Sequence, residues 1–370
     1  MFMFPSTASI LIAAALMSVY ADNVSVVTAR AQCVVDVDCS LNGLCTDSLC
    51  VCDAPWSGPS CSSLAFAVTP AIAQNIYNNS ADTRNTWGGA IAGPDDRLKY
   101  HFYMPLYKAG SFDFPVDATW HGIADAPTGP WDFQTMDSLD NWDSNPHFLA
   151  YPSGGGNGSG AATVTTVYSL WFDGNLMTSD SLDGPFLHID GGLGINPSPI
   201  FHNNAFYFVP NSVDMIMTAP TVVGPWIVYS NITQPGFMLA IPEDPFMWID
   251  KRKNWHIISH AYNPDDNKTD CGNSHASSHF FSEDDGMTWS YSAQPYGHTV
   301  TYDDGTTHTF ATLERPSLLF NAKGQPAFLT TAVDLQADEA CPSTADPHWN
   351  CCTCCKYKDH LGTTVIALAV

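Results

Sequence analysis

Four short segments set a polar or charged residue directly before a proline and an apolar stretch: Asn145-Pro146-His147-Phe148, Asn196-Pro197-Ser198-Pro199, Glu243-Asp244-Pro245-Phe246 and Glu314-Arg315-Pro316-Ser317. A fifth segment of the same kind, Trp87-Gly88-Gly89-Ala90, carries no charged side chain. Two carboxylates in different surroundings can divide the work of a general acid and a general base. Glu243 and Glu314 are the candidates, with Asp143 as a further base. Asn145 and Asn196 can bind a hydroxyl-rich ligand through both ends of their amides, or cap a turn. Trp87, Phe246 and Trp248 offer flat apolar faces for stacking. Asp244, Arg315, His260 and His279 complete the set of ligand-contacting candidates. Each has a structural alternative, because buried charges must be paired and buried imidazoles hydrogen-bonded.

Residues so far apart in the chain need a scaffold that brings them together. The proline-led segments alternate with a turn just before an aromatic residue: Gly129-Pro130-Trp131, Gly184-Pro185-Phe186, Gly224-Pro225-Trp226 and Asp285-Gly286-Met287-Thr288-Trp289. Between them lie stretches such as Arg97–Tyr103, Asn203–Phe208 and Lys253–Ile258, which alternate after a polar turn as antiparallel strands do. A four-stranded sheet cannot bury both faces alone, and radial stacking of such sheets solves the problem. The pattern predicts an all-β chain whose residues 65–370 form a five-bladed β-propeller, with Thr363–Val370 as closing strand. The first residues of each inner strand would then meet at one mouth of a central channel. A β-sandwich does not account for both recurring signatures.

Composition agrees. The 370 residues include 26 Gly, 26 Pro and 12% aromatics, a profile of short strands and turns rather than a helical bundle. With 13 Lys+Arg against 37 Asp+Glu, the formal net charge of −24 argues against nucleic acid or an anionic membrane surface as partner. Residues 9–19 are an apolar run of signal-peptide length, ended by Val19-Tyr20-Ala21, so residues 1–21 read as a leader cleaved after Ala21 and the chain as secreted, although the leader's start has no Lys or Arg. Sequons begin at Asn23, Asn78, Asn157, Asn231 and Asn267, which fits an extracellular glycoprotein. Residues 22–32 read as a linker.

An exported chain with 12 cysteines is read first for disulfides. Cys271, Cys341, Cys351, Cys352, Cys354 and Cys355 are taken as loop staples in preference to a metal site with His348 and His360, and their pairing stays open. No metal-ligand set and no cofactor is expected, though a structural ion in the channel is compatible with the pattern. Asp265-Asp266 and Asp303-Asp304-Gly305 read as turns.

The other six cysteines, Cys33, Cys39, Cys45, Cys50, Cys52 and Cys61, together with Asn42-Gly43 and Trp56-Ser57-Gly58, resemble an EGF-like module over residues 33–61. That resemblance implies the pairs Cys33–Cys45, Cys39–Cys50 and Cys52–Cys61. Residues 28–32 lack the acidic pattern of calcium-binding modules, so a spacer or a knob for a protein partner is expected.

Residues 65–370 resemble the five-bladed propeller glycosidases, above all family-43 glycoside hydrolases. Ile241-Pro242-Glu243-Asp244-Pro245 is similar to the segment carrying that family's general acid, which implies this role for Glu243. Asn196-Pro197-Ser198 is similar to the segment whose Asp tunes the acid, with Asn in its place. Where the family has its base Asp, this chain has Trp87-Gly88-Gly89. The resemblance implies a propeller acting on or binding polysaccharide. Three alternatives stay open: a hydrolase with Glu314 or Asp143 as base, a glycan-binding propeller without hydrolysis, and a protein-interaction scaffold.

Overall fold

The computed structural model describes residues 32–74, 76, 85–107, 116, 118–136, 145–153, 165–172, 174–189, 194–232, 241–262, 276–310, 312–334 and 361–370. Residues 1–21, Asp143, the second cysteine group and every sequon except Asn231 lie outside them. Asn231 is exposed at the end of an outer strand. No helix among the described residues is long and apolar enough to cross a membrane.

Five antiparallel sheets follow one another along the chain. Blade one pairs Asn85–Thr86 and Ala90–Ala92 with Tyr100–Tyr107, followed by Ala118–Ala124 and Asp132–Met136. Blades two to four are four-stranded meanders that open with His147–Pro152, Ser198–His202 and Ile241–Ile249. Blade five contains Leu313–Phe320, Pro326–Asp334 and Leu361–Ala367. The final strand is therefore the third of its sheet. The fourth place is taken by the chain just after the cysteine-rich module, where Ala67 N–H donates to Ala367 O at 2.8 Å and Ala369 N–H to Ala65 O at 2.9 Å. A propeller closed in this way joins the beginning of its chain to the end and leaves no open seam.

The recurring turn aromatics fill the seams between blades. Phe186 of blade two meets Tyr103 of blade one edge-on at 5.5 Å. Trp226 of blade three meets Trp171 of blade two at 6.0 Å. Trp289 of blade four is buried in one cluster with Val209, Val213 and Ile216 of blade three. A large ring at a fixed place in each repeat buries much apolar surface against the next blade.

The six N-terminal cysteines are joined as Cys33–Cys45, Cys39–Cys50 and Cys52–Cys61, the EGF-like arrangement. Gly43 is required there by space alone, since a Cβ would meet Val51 O at 2.5 Å and Cys61 Sγ at 2.8 Å. About thirty residues bury too little to fold on a core, so the bridges carry the module. The module is docked rather than tethered. Cys39, Cys61 and Trp56 share a cluster with Trp248, Leu318 and Leu368 of blades four and five. Arg252 of blade four pairs with Asp53 at 2.6 Å and donates to Leu41 O.

Replacing Ala67 by proline removes the N–H that closes the ring. The expected loss is about 1–3 kcal/mol, read as a lower thermal midpoint than that of Val68→Ala, an exposed neighbour without that bond.

Candidate functional site

The first residues of the inner strands share an unusual backbone. Asn145, Asn196, Asp244 and Arg315 have φ of 52°, 46°, 53° and 51°, and Gly88 in blade one has 75°. Four of the five directly precede a proline, and the fifth precedes Gly89. Left-handed backbone is accessible to Gly and tolerated by Asn and Asp, but for Arg it is a strained exception. The repeat turns five successive side-chain positions toward one end of the axis. In blades four and five the ladder also shifts register just after Glu243 and Glu314, a bulge of the kind that re-aims side chains at functional sites.

Asp244 is the hub. Asn196 Nδ2 donates to its Oδ1 in a short hydrogen bond, and Asn145 Nδ2 donates to the same oxygen at 3.3 Å. Arg315 Nε stands 3.8 Å from Oδ2, and Arg315 Nη1 donates to Tyr107 OH at 3.4 Å. Asn211 Oδ1 accepts from Asp244 N–H at 2.9 Å and from Asn196 Nδ2 at 3.1 Å. Burial pushes the Asp244 carboxyl up to about 7; the Arg315 charge opposes this and the Glu243 charge adds to it. A Cβ on Gly88 would stand 3.0 Å from Arg315 Cβ and 3.3 Å from its Cδ. The arginine of blade five thus occupies the space that a side chain of blade one would need.

Beside this hub, His260 stands between two carboxylates, with Nδ1 3.7 Å from Glu243 Oε1 and Nε2 3.8 Å from Glu314 Oε1. Burial works to lower its proton affinity, but Glu314 and Glu243 outweigh burial and raise His260 to about 9. Near neutral pH it is an imidazolium. One ligand atom each from Glu243, Asp244 and His260 lie within 4.8 Å of one another, yet a protonated His260 donates rather than ligates. The Glu243 side chain is 28% exposed, whereas Glu314 is 6% and His260 1% exposed. Glu243 is thus the carboxylate of the group that a ligand can reach. Below the mouth, the inner strands enclose a cavity of about 420 Å³, largely apolar, lined by Ile91, Ile200, Phe246, Trp248 and Leu318.

Of the sequence candidates, Glu243, Glu314, Asn145, Asn196, Asp244, His260 and Arg315 come together at the mouth. Trp248 and His279 do not. His279 stacks on Trp56 of the cysteine-rich module at 5.1 Å, and Trp248, which lines the cavity below the mouth, also stacks on His256 at 4.9 Å and shares a cluster with Trp56 at the docking seam. Trp87 is next to the mouth but buried against Tyr107, Val116 and Ala332, which takes its face out of reach of a ligand. Three participants were not legible beforehand. Asn211 follows an outer turn with no distinguishing pattern, and Tyr107 ends an apolar strand. His147 is the residue after Asn145-Pro146 and so had a positional signal. Burial and the Arg315 charge lower it to about 3, and it stacks on Phe246 at 6.5 Å.

These protonation states set the pH response. His260 binds its proton more tightly folded than unfolded, so its stabilisation is complete below about 6.5 and is lost as pH rises through about 9. Asp244 acts in a lower window: its folded pKa is raised, so stability falls as pH climbs from about 4 to about 7. Thermal melts from pH 6 to pH 10 are expected to show a decline on the order of 3 kcal/mol that His260→Gln lacks.

Residues 35–63 match the Teneurin-like EGF domain family. No curated protein matches the chain in sequence. Among solved structures, the chain is similar to the catalytic domain of a Coprinopsis cinerea family-62 α-L-arabinofuranosidase, with TM-score 0.53 at 8% identity over 83% of this chain and 98% of that one. It also aligns with an endo-arabinase from Bacteroides thetaiotaomicron (TM-score 0.44, 11% identity, 83% and 98% coverage) and with a thermostable family-43 glycoside hydrolase (0.46, 12%, 79% and 91%). The chain is thus an EGF-like module docked on a five-bladed propeller with the fold of the family-62 catalytic domain.

Proposed function

We propose that this chain is a secreted glycan-binding protein whose axial mouth holds a polysaccharide segment without hydrolysing it. The observation that carries this reading is the contact between Gly88 and Arg315. Inverting hydrolysis needs a protonated acid and a carboxylate base about 6.5–9.5 Å apart on opposite sides of the sugar. At the blade-one position, where the resemblance to family-43 enzymes expects the base, a glycine leaves room for an arginine paired with Asp244. That ion pair binds the hub carboxylate to its neighbours. Glu243, partly open to solvent and held by the His260 imidazolium, is the acceptor for saccharide hydroxyls. The family-62 likeness supports an arabinose-decorated polysaccharide as ligand class, and the docked module supports an extracellular setting.

A hydrolytic reading has one observation in its favour: Glu314 stands across the His260 ring from Glu243, so a second carboxylate is close. Its burial beside an imidazolium separates it from a water on the far side of a sugar.

The two readings part in one experiment. Calorimetry with arabinan, arabinoxylan and galactan oligosaccharides, with chromatography of the same mixtures, is expected to show saturable binding and no new reducing ends. Glu243→Gln is expected to weaken binding about tenfold through loss of charge-assisted hydrogen bonds. Product formation abolished in Glu243→Gln would establish the hydrolase instead, and the absence of binding to any of these glycans overturns both readings.

A further inference from the structure

A second polar cluster lies away from the mouth, between blades one and two. His101 and His121 project from adjacent strands of blade one, with His101 Nδ1 and His121 Nε2 2.8 Å apart and the two rings nearly coplanar, end to end. Asp183, from the turn that precedes Gly184-Pro185 in blade two, brings Oδ1 to 3.9 Å from His101 Nδ1. We propose that His101 Nδ1, His121 Nε2 and Asp183 Oδ1 form a site for a divalent transition metal, with Zn²⁺ the best fit, that clamps blade one to blade two.

The surroundings fit that chemistry. Two imidazole nitrogens and a carboxylate oxygen are a ligand set for Zn²⁺ at about 2.0–2.2 Å, with a fourth place for water. One ligand atom from each of the three residues lies within 4.8 Å of the others, and Asp183 is 40% exposed, free to close the remaining gap. Behind the site, His101 Nε2 meets Asp95 Oδ2 at 3.2 Å. A carboxylate in that position accepts the Nε2–H hydrogen bond and leaves the Nδ1 lone pair for the ion, as in other histidine–metal centres. Asp95 is held in place for it by hydrogen bonds from Lys99 N–H and Arg97 N–H to Oδ1 and from Arg97 Nε to Oδ2. Arg97 donates to Asp183 Oδ2 at 2.6 Å, which orients the carboxylate with Oδ1 toward the histidines. Two carboxylates against one guanidinium leave a net negative charge for the cation. Metal binding needs both His101 Nδ1 and His121 Nε2 unprotonated, so the ion displaces the hydrogen bond between the two rings and His121 then carries its proton on Nδ1.

Blade four repeats the arrangement without the third ligand. Asp250 Oδ2 stands 3.5 Å from His256 Nε2, and His256 Nδ1 meets His279 Nε2 at 3.1 Å. The register is the same, since Tyr103 pairs with His121 and Ile258 with His279, each two residues beyond the first histidine. There Trp56 of the cysteine-rich module covers His279, and among the described residues no carboxylate completes a third ligand. The two pairs separate a hydrogen-bond relay common to both blades from a metal site present in one.

The test titrates Zn²⁺ into the intact, chelator-treated chain by calorimetry and follows Co²⁺ by its visible d–d absorption. One equivalent is expected, with a thermal midpoint that rises with metal concentration. Asp183→Asn, an exposed position where folding is preserved, is expected to weaken binding at least tenfold, and His121→Gln to abolish the tetrahedral Co²⁺ spectrum. His256→Gln is expected to bind as the wild type does. No saturable uptake by the wild type, uptake unchanged in both Asp183→Asn and His121→Gln, or loss in His256→Gln alone would each overturn the assignment.

Discussion

The buried carboxylate of Asp244 ties the blades to one another at the axis. Its oxygens receive Asn145 from blade two and Asn196 from blade three, and face Arg315 from blade five, which reaches Tyr107 of blade one. A charge in that position is tolerable only while those partners hold it, and removing one partner of such a pair costs about 3–5 kcal/mol. The left-handed backbone at four non-glycine positions follows from this requirement. Local strain, of order 1–3 kcal/mol per residue, is offset by bringing Asn145, Asn196 and Arg315 to the shared acceptor Asp244.

The same hub limits chemistry. A hydrolytic centre needs two carboxylates whose protonation states are held apart and a water between them. Here an arginine fills the space over Gly88, and the asparagine of blade three donates to Asp244 rather than charging it. Glu243 and Glu314 share one imidazolium, which offsets part of their charge.

The docked module changes what the second histidine pair can do. By seating Trp56 on His279 and pairing Asp53 with Arg252, it closes the face of blade four that in blade one is met by the turn of blade two. Module and propeller therefore share a core, and the chain just beyond the module also supplies the last strand of the ring. Docking and closure are coupled because about thirty residues of disulfide-bonded chain end where the ring begins.

Much of this architecture was legible in the amino-acid order. Period-two strands, proline-led openings and glycine–proline–aromatic turns are local signals, and their recurrence required a radial repeat. The cysteine spacing likewise implied the pairing through its resemblance to an EGF-like module. Glu243, Glu314, Asp244, Arg315, Asn145 and Asn196 were recognisable as neighbours because they occupy the same place in successive repeats. What local order could not decide was which way non-repeating side chains point across a seam. His279 and Trp248 carry the residue types of a binding site yet face the docked module, and Asn211, Tyr107 and Asp183 acquire partners 33, 208 and 86 residues away. Those contacts depend on how blades and module pack, a property of the whole closed ring, whereas strand, turn and repeat are set within a few residues of chain.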